Sequence, residues 1–282
     1  MRTEIPDNIE VNPEITFEEI YETLRNDRGR ALFFDIETMP ADNETLTALF
    51  EDEEIELPKY PGVFDASKVK YGNTKDPEKR QAKLNEEMAK HNQALASWDD
   101  DCKQAREEAW KKFLGKSTLS VTAGRIAAIG YGLRCDKEVR LLLDVRPTDE
   151  RSMLLNLWKF VALVRKRNHK LVSFNGWRFD LPFCVRRSWA YTDVTPPVLI
   201  NKYNKYEENF VDALAEYRMG GPWTETIKLD HLARMMGVRR KLEGMTGDRF
   251  WQVLEEDEEK ALNYLAGDIY CLADVAERMQ LA

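Results

Sequence analysis

The chain has 282 residues, 43% hydrophobic, 33% charged and 10% aromatic, a balance that suits a globular protein with a sizeable core. Its formal net charge of -8 gives no overall attraction to polyanions. The four cysteines are scattered without a CxxC pair and there are three dispersed histidines, which excludes a zinc ribbon or a disulfide scaffold and leaves oxygen ligands for any metal.

Thr16 and Glu19 form a capping box before a helix with an apolar face of Phe17, Ile20, Tyr21 and Leu24, and Ile15 staples onto Ile20. ALFFDIETMP, 31–40, reads as a strand in which four apolar residues run into Asp35 and Glu37. Alternation sends these two carboxylates to the same side, where they repel unless a cation or strong donors sit between them. Residues 40–75 are acidic and irregular, with KYPG marking a turn. Asp76 as cap, Pro77 in the first helical position and Glu78 behind it then start a helix, and no Gly or Pro follows until Gly115. Leu84, Met88, His91, Leu95, Trp98, Cys102, Ala105 and Ala109 form a heptad-like seam along it. As one helix, residues 77–114 would be roughly 57 Å long. Alternatively, Ser97 ahead of WDDD caps the second arm of a helical hairpin.

GRIAAIGYGL (124–133) and EVRLLLD (138–144) read as a β-hairpin around CDK, and 149–167 as an amphipathic helix with a basic C-terminus. KLVSF (170–174) is a short buried strand that ends at Asn175-Gly176, with a helix following to about Tyr191. ENFVD (208–212) is a fifth strand, and helices near 225–237 and 255–280 complete the chain. This order predicts an α/β fold, a mixed sheet covered by helices. Charge is unevenly spread along it. EDEEIE (51–56) and EEDEEK (255–260) are acidic, while RKRNHK (165–170) and RRK (239–241) are basic, and each run is expected as a solvated face. No apolar run approaches the ~20 residues of a membrane span, and MRTEIPDNIE lacks a signal peptide's apolar core, so a cytoplasmic location away from membranes is expected.

Two further motifs carry carboxylates. In NGWRFDLPF, 175–183, Asp180 lies near a helix start, where it could simply be the cap. In NYLAGDIYCLADV, 263–275, Tyr264 and Asp268 are four apart and share a helix face, and Gly267 in mid-helix asks for a close approach of backbone or ligand. A strand pair, a helix start and a late helix can converge on two hard divalent ions such as Mg²⁺, an arrangement that suits phosphodiester cleavage.

FDIET, NGWRFDLP and YLAGD resemble the three motifs of DnaQ-like, or DEDD, 3′–5′ exonucleases, in the family's order. Tyr264 places the likeness in the DEDDy branch, which includes the proofreading domains of family B DNA polymerases. The likeness spans residues 30–39 and 120–280, with 40–119 as a helical insertion in a single domain of 1–282. KDPEK, the charged helix and GRIAAIGYG also look like stand-alone exonucleases often encoded by phages. The resemblance implies an RNase H-like fold in which Asp35, Glu37, Asp180 and Asp268 hold two Mg²⁺ or Mn²⁺ ions and Tyr264 orients the attacking water. It also implies that Thr38 and Met39 meet the 3′-terminal nucleotide, Met39 as an apolar wedge. Asn175 would hold the substrate strand and Phe179 would pack near its sugar or base. The function implied is 3′–5′ hydrolysis of single-stranded or frayed DNA ends to nucleoside 5′-monophosphates by a two-metal-ion mechanism. Proofreading would then occur in trans to a DNA polymerase, or the enzyme would serve another replication or repair partner. An exoribonuclease and a non-catalytic scaffold built around the helical insertion are the competing readings.

Overall fold

The computed structural model describes residues 15–135, 138–197, 209–222, 224–241, 245 and 247–282. Among these, five strands form one mixed sheet: β1 (Ala31–Pro40), β2 (Gly124–Cys135), β3 (Glu138–Val145), β4 (Lys170–Ser173) and β5 (Phe210–Asp212). Their order is β3-β2-β1-β4-β5, with β2 antiparallel to both β1 and β3, β4 parallel to β1 and β5 parallel to β4. The strands and the mixed α/β architecture follow the sequence reading. The hairpin's turn at 136–137 and Glu208 lie outside the described residues.

β1 is the central strand, so both of its faces are covered. Leu32, Phe34 and Ile36 enter the core shared with α1 (Phe17–Asn26) and α4 (Glu150–Arg167). Ala31 and Phe33 enter a second core with α7 (Leu229–Met236) and α9 (Glu258–Arg278). The Thr16 capping box forms as read, with the Glu19 carboxylate accepting from the Thr16 N–H at 2.8 Å.

Two glycines on β2 bring α9 close to the sheet. A Cβ at Gly130 would stand 3.0 Å from Leu265 and Ile269, and one at Gly132 would stand 2.6 Å from Ile269. Gly130 is the register partner of Asp35, so the helix that approaches there carries Asp268 to the level of that carboxylate. Beyond it the pairing jumps from Glu37↔Ala128 to Thr38↔Ile126. Ala127 is therefore an extra residue, and both alanines face the cluster formed with α9 and α8 (Phe250–Glu256).

Residues 42–116 form a separate compact unit. α3 (Pro77–Ser117) is a single helix of 41 residues, roughly 60 Å long. The hairpin alternative fails at Ser97, whose hydroxyl bonds Asp101 at 3.0 Å instead of capping a new helix. Segment 40–75, read as irregular, contains α2 (Asn43–Glu51), capped by Asp42 on the Thr45 N–H. Phe50 of α2 packs on Trp110 and Phe113, with ring centroids 5.0 and 5.5 Å apart. The chain then runs back over the seam: Trp98 donates its indole N–H to the Pro58 carbonyl at 3.0 Å, Tyr60 stacks edgewise on Trp98, and Phe64 meets His91. Met88, counted in the seam, is exposed.

α5 (Asp180–Ser188) is tied to the sheet by one buried acid, Glu150. Its carboxylate accepts from the Ile126 N–H at 2.8 Å, from Arg187 through Nη2 at 2.7 Å and Nε at 3.0 and 3.1 Å, and from the Tyr191 hydroxyl at 2.8 Å. Arg187 is the cation of that pair and would be left in the interior without it. Glu150→Ala is expected to lower the unfolding free energy by about 3–5 kcal/mol in urea titration, with Glu150→Gln losing less. A change below about 1 kcal/mol would contradict this.

Candidate active site

Asp35, Glu37 and Asp268 meet at the centre of the sheet, each offering a carboxylate oxygen within 4.8 Å of the others. Glu37 and Asp268 are 5% and 2% exposed. Burial alone would push their pKa values up, and their mutual charge adds to it. Glu37 lies well above the ordinary carboxylate range, first through burial and then through the charges of Asp35, Asp268 and Asp180. Burial raises Asp268 to about 7 against the pull of Lys241.

Asp180 is not one of the three carboxylates that meet within 4.8 Å, but it lies near enough to Asp35 for their charges to interact, and its pKa is raised well above the ordinary carboxylate range by burial and then by the Asp35 charge. It does not cap its own helix. Phe179 holds the cap position without a side-chain bond, and the Asp180 carboxylate reaches across to accept from the Ile36 N–H at 3.2 Å. Its position depends on the turn after β4. Asn175 has a left-handed backbone, φ 64°, and a Cβ at Gly176 would collide with the Ser173 hydroxyl at 2.2 Å. Asp212, buried at the end of β5, accepts from the N–H groups of Asn175 and Trp177 at 2.8 and 3.1 Å and also caps α6 (Ala213–Tyr217). This organising carboxylate was not anticipated. Its only sequence signal is an Asp between a short strand and an apolar run.

Tyr264 sits one helical turn before Asp268, and burial together with the Asp268 charge raises its pKa, so the phenol is neutral near pH 7. Gly247, in the turn before α8, lies where an added Cβ would be 3.4 Å from Glu37 and 3.8 Å from the Tyr264 hydroxyl. Lys241 was read as part of a solvated basic run. Instead its Nζ lies 2.5 Å from Asp268 Oδ2, and it stands 5.4 Å from the centre of the Tyr264 ring.

A cavity of about 970 Å³ opens beside the cluster, lined in part by Asp35, Tyr264 and Asn175. Arg178, Arg218, Lys228, Arg240 and Lys241 also line it, against only Asp35 and Asp230 among acidic residues, so the lining is basic although the chain is acidic. Of the four residues expected to meet substrate, only Asn175 lines this cavity. Thr38 is buried on β1, Met39 is buried among Ala127, Phe250 and Leu265, and Phe179 packs on Phe183.

Do these residues suit a divalent cation? The donors are all hard oxygens. In addition, Asp268 Oδ1 is buried without a hydrogen-bond partner, a costly state that a bound cation relieves. The set fits divalent ions such as Mg²⁺ or Mn²⁺, for which Asp35, Glu37 and Asp268 would be the ligands.

A family model of the RNase H superfamily matches residues 117–280, and the chain belongs to that superfamily. Its sheet and flanking helices are an RNase H-like α/β fold, and such domains are typically nucleases that use divalent metals. Comparison with curated proteins and with solved structures finds no match. No helix among the described residues is long and apolar enough to cross a membrane.

The raised carboxyl groups fix a pH dependence. Asp268 binds its proton more tightly folded, near 7, than free, near 3.8, so its contribution to stability is complete below about pH 4 and is lost as pH rises through 7. Asp35, Glu37 and Asp180 have the same sign. In chelator, the thermal midpoint should fall between about pH 5 and pH 8. Asp268→Asn should reduce that fall, and Mg²⁺ should oppose it. A midpoint that is flat or rises with pH in chelator would contradict this electrostatic picture.

Proposed function

We propose that the protein is a metal-dependent 3′–5′ exonuclease of the DnaQ-like DEDDy type that removes nucleoside 5′-monophosphates from single-stranded or frayed DNA ends. The observation that carries this is the convergence of Asp35, Glu37 and Asp268, with its partnerless Oδ1, at the edge of a basic cavity. Asp180 adjoins Asp35, completing the four carboxylates of the motif resemblance. When bound, divalent ions supply charge neutralisation at the scissile phosphate and a water of lowered pKa.

The chain's own groups do the rest. Asp35, Glu37, Asp180 and Asp268 form the anionic cradle. The Tyr264 phenol stays protonated near neutrality, so its part is to donate a hydrogen bond that orients the attacking water. Asn175 contacts the substrate strand from the cavity wall, and lining cations such as Arg178 and Lys228 attract its phosphates irrespective of sequence. Single-stranded ends are favoured because the terminal nucleotide must leave any duplex to reach the buried carboxylates.

A 3′-end preference is tested with 5′-labelled single-stranded DNA and RNA of matched sequence, incubated with Mg²⁺ or EDTA. A metal-dependent ladder shortening from the 3′ end of DNA is expected. Asp35→Ala and Asp268→Ala should abolish it while keeping the fold. Tyr264→Phe should slow single-turnover cleavage at least about ten-fold with little change in binding. A ladder on RNA alone would move the substrate to RNA, and full activity in Asp35→Ala would remove the cluster from the chemistry.

A further inference from the structure

Residues 239–241 place three successive cations on three helix carboxylates. Arg239 meets Asp274 of α9 at 3.4 Å and lies over the Tyr270 ring. Arg240 grips Asp230 of α7 at two points, 2.9 and 2.7 Å. Lys241 then reaches Asp268 at 2.5 Å. The first two contacts fix the backbone from which the third side chain projects, so the ammonium is delivered to the cluster from an anchored strap. Asp268 is thereby approached from two sides: Oδ2 takes the Lys241 ammonium, while Oδ1 is buried without a partner. The Lys241 side chain keeps 27% exposure, which leaves it a way out toward the cavity it also lines.

We propose that Lys241 is the resident counter-ion of Asp268 and competes with a divalent cation for that carboxylate. The inference rests on the reading of the cluster as a metal site. A first ion is then taken up at Asp35 and Glu37, and a second, ligated by Asp268, requires the ammonium to withdraw. The physical reason is proximity. A Mg²⁺ or Mn²⁺ ligated at about 2.0–2.1 Å by one oxygen of Asp268 would stand within a few ångströms of an ammonium on the other oxygen. Like charges that close, in a poorly hydrated site, repel far more strongly than in water. The same ammonium compensates the buried Asp268 charge in the meantime, which lets the cluster fold before metal arrives.

The test is calorimetric titration of the full chain with Mn²⁺, comparing wild type with Lys241→Met and Lys241→Arg, each checked for fold by circular dichroism. Lys241→Gln is measured beside them so that a folding defect in one neutral variant does not decide the result. The neutral variants are expected to bind the second Mn²⁺ at least roughly ten-fold more tightly than wild type. Lys241→Arg should bind it as wild type does. In EDTA, the neutral variants should have the lower thermal midpoint. Equal or weaker second-site binding in the neutral variants overturns the competition while leaving the metal site standing. Absence of Mn²⁺ binding in all four proteins overturns the metal-site reading itself, and the role of Lys241 with it.

Discussion

Carboxylates held within 4.8 Å of one another in the interior repel, and much of the surrounding structure serves to hold that repulsion in place. Burial penalises each charge separately and the shared field penalises them jointly, so Glu37, Asp180 and Asp268 all hold their protons more firmly than free carboxyls do. A site built in this way gains stability from any cation that enters it. Lys241 supplies one positive charge, and a divalent ion would supply more.

The scaffold that fixes this geometry is made of small and rigid parts. Gly130 and Gly132 let α9 come down on β2, which brings Asp268 to the level of Asp35. The left-handed Asn175 and the crowded Gly176 make the tight exit from β4, and Asp212 satisfies the N–H groups that this turn exposes. Glu150 and Arg187 secure α5, whose first residue is Asp180. Each of these anchors has its own interaction energy, and none depends on the cluster being charged. The site can therefore be held open against its own repulsion.

The fold's main strands and helices, and the three motifs, were legible in the sequence because they rest on local signals. The Thr16 capping box, the β1 alternation and the Tyr264–Asp268 spacing are written in a few consecutive residues. Part of what escaped rests on long-range contact. Lys241 belongs to a basic run that looks solvated until Asp230, Asp268 and Asp274 are seen opposite it. Met39, which the resemblance makes an apolar wedge at the terminal nucleotide, is enclosed by the alanines at the β2 bulge and by Phe250, contacts that its own strand does not announce. α2 was hidden by the acidity of its surroundings, although Asp42 and the spacing of Leu46, Leu49 and Phe50 signal a capped amphipathic turn. Ser97 misled because Ser is ambiguous: the same hydroxyl that caps a helix can bond Asp101 one turn along it.

The central claim is that the buried carboxylates form a cation site, and diffraction from crystals soaked in Mn²⁺ tests it most directly. The account predicts an anomalous difference peak among Asp35, Glu37 and Asp268, within about 2.0–2.3 Å of at least two carboxylate oxygens. Mn²⁺ peaks confined to surface acids such as those of 51–56, with the Asp35 cluster empty at saturating metal, would contradict it.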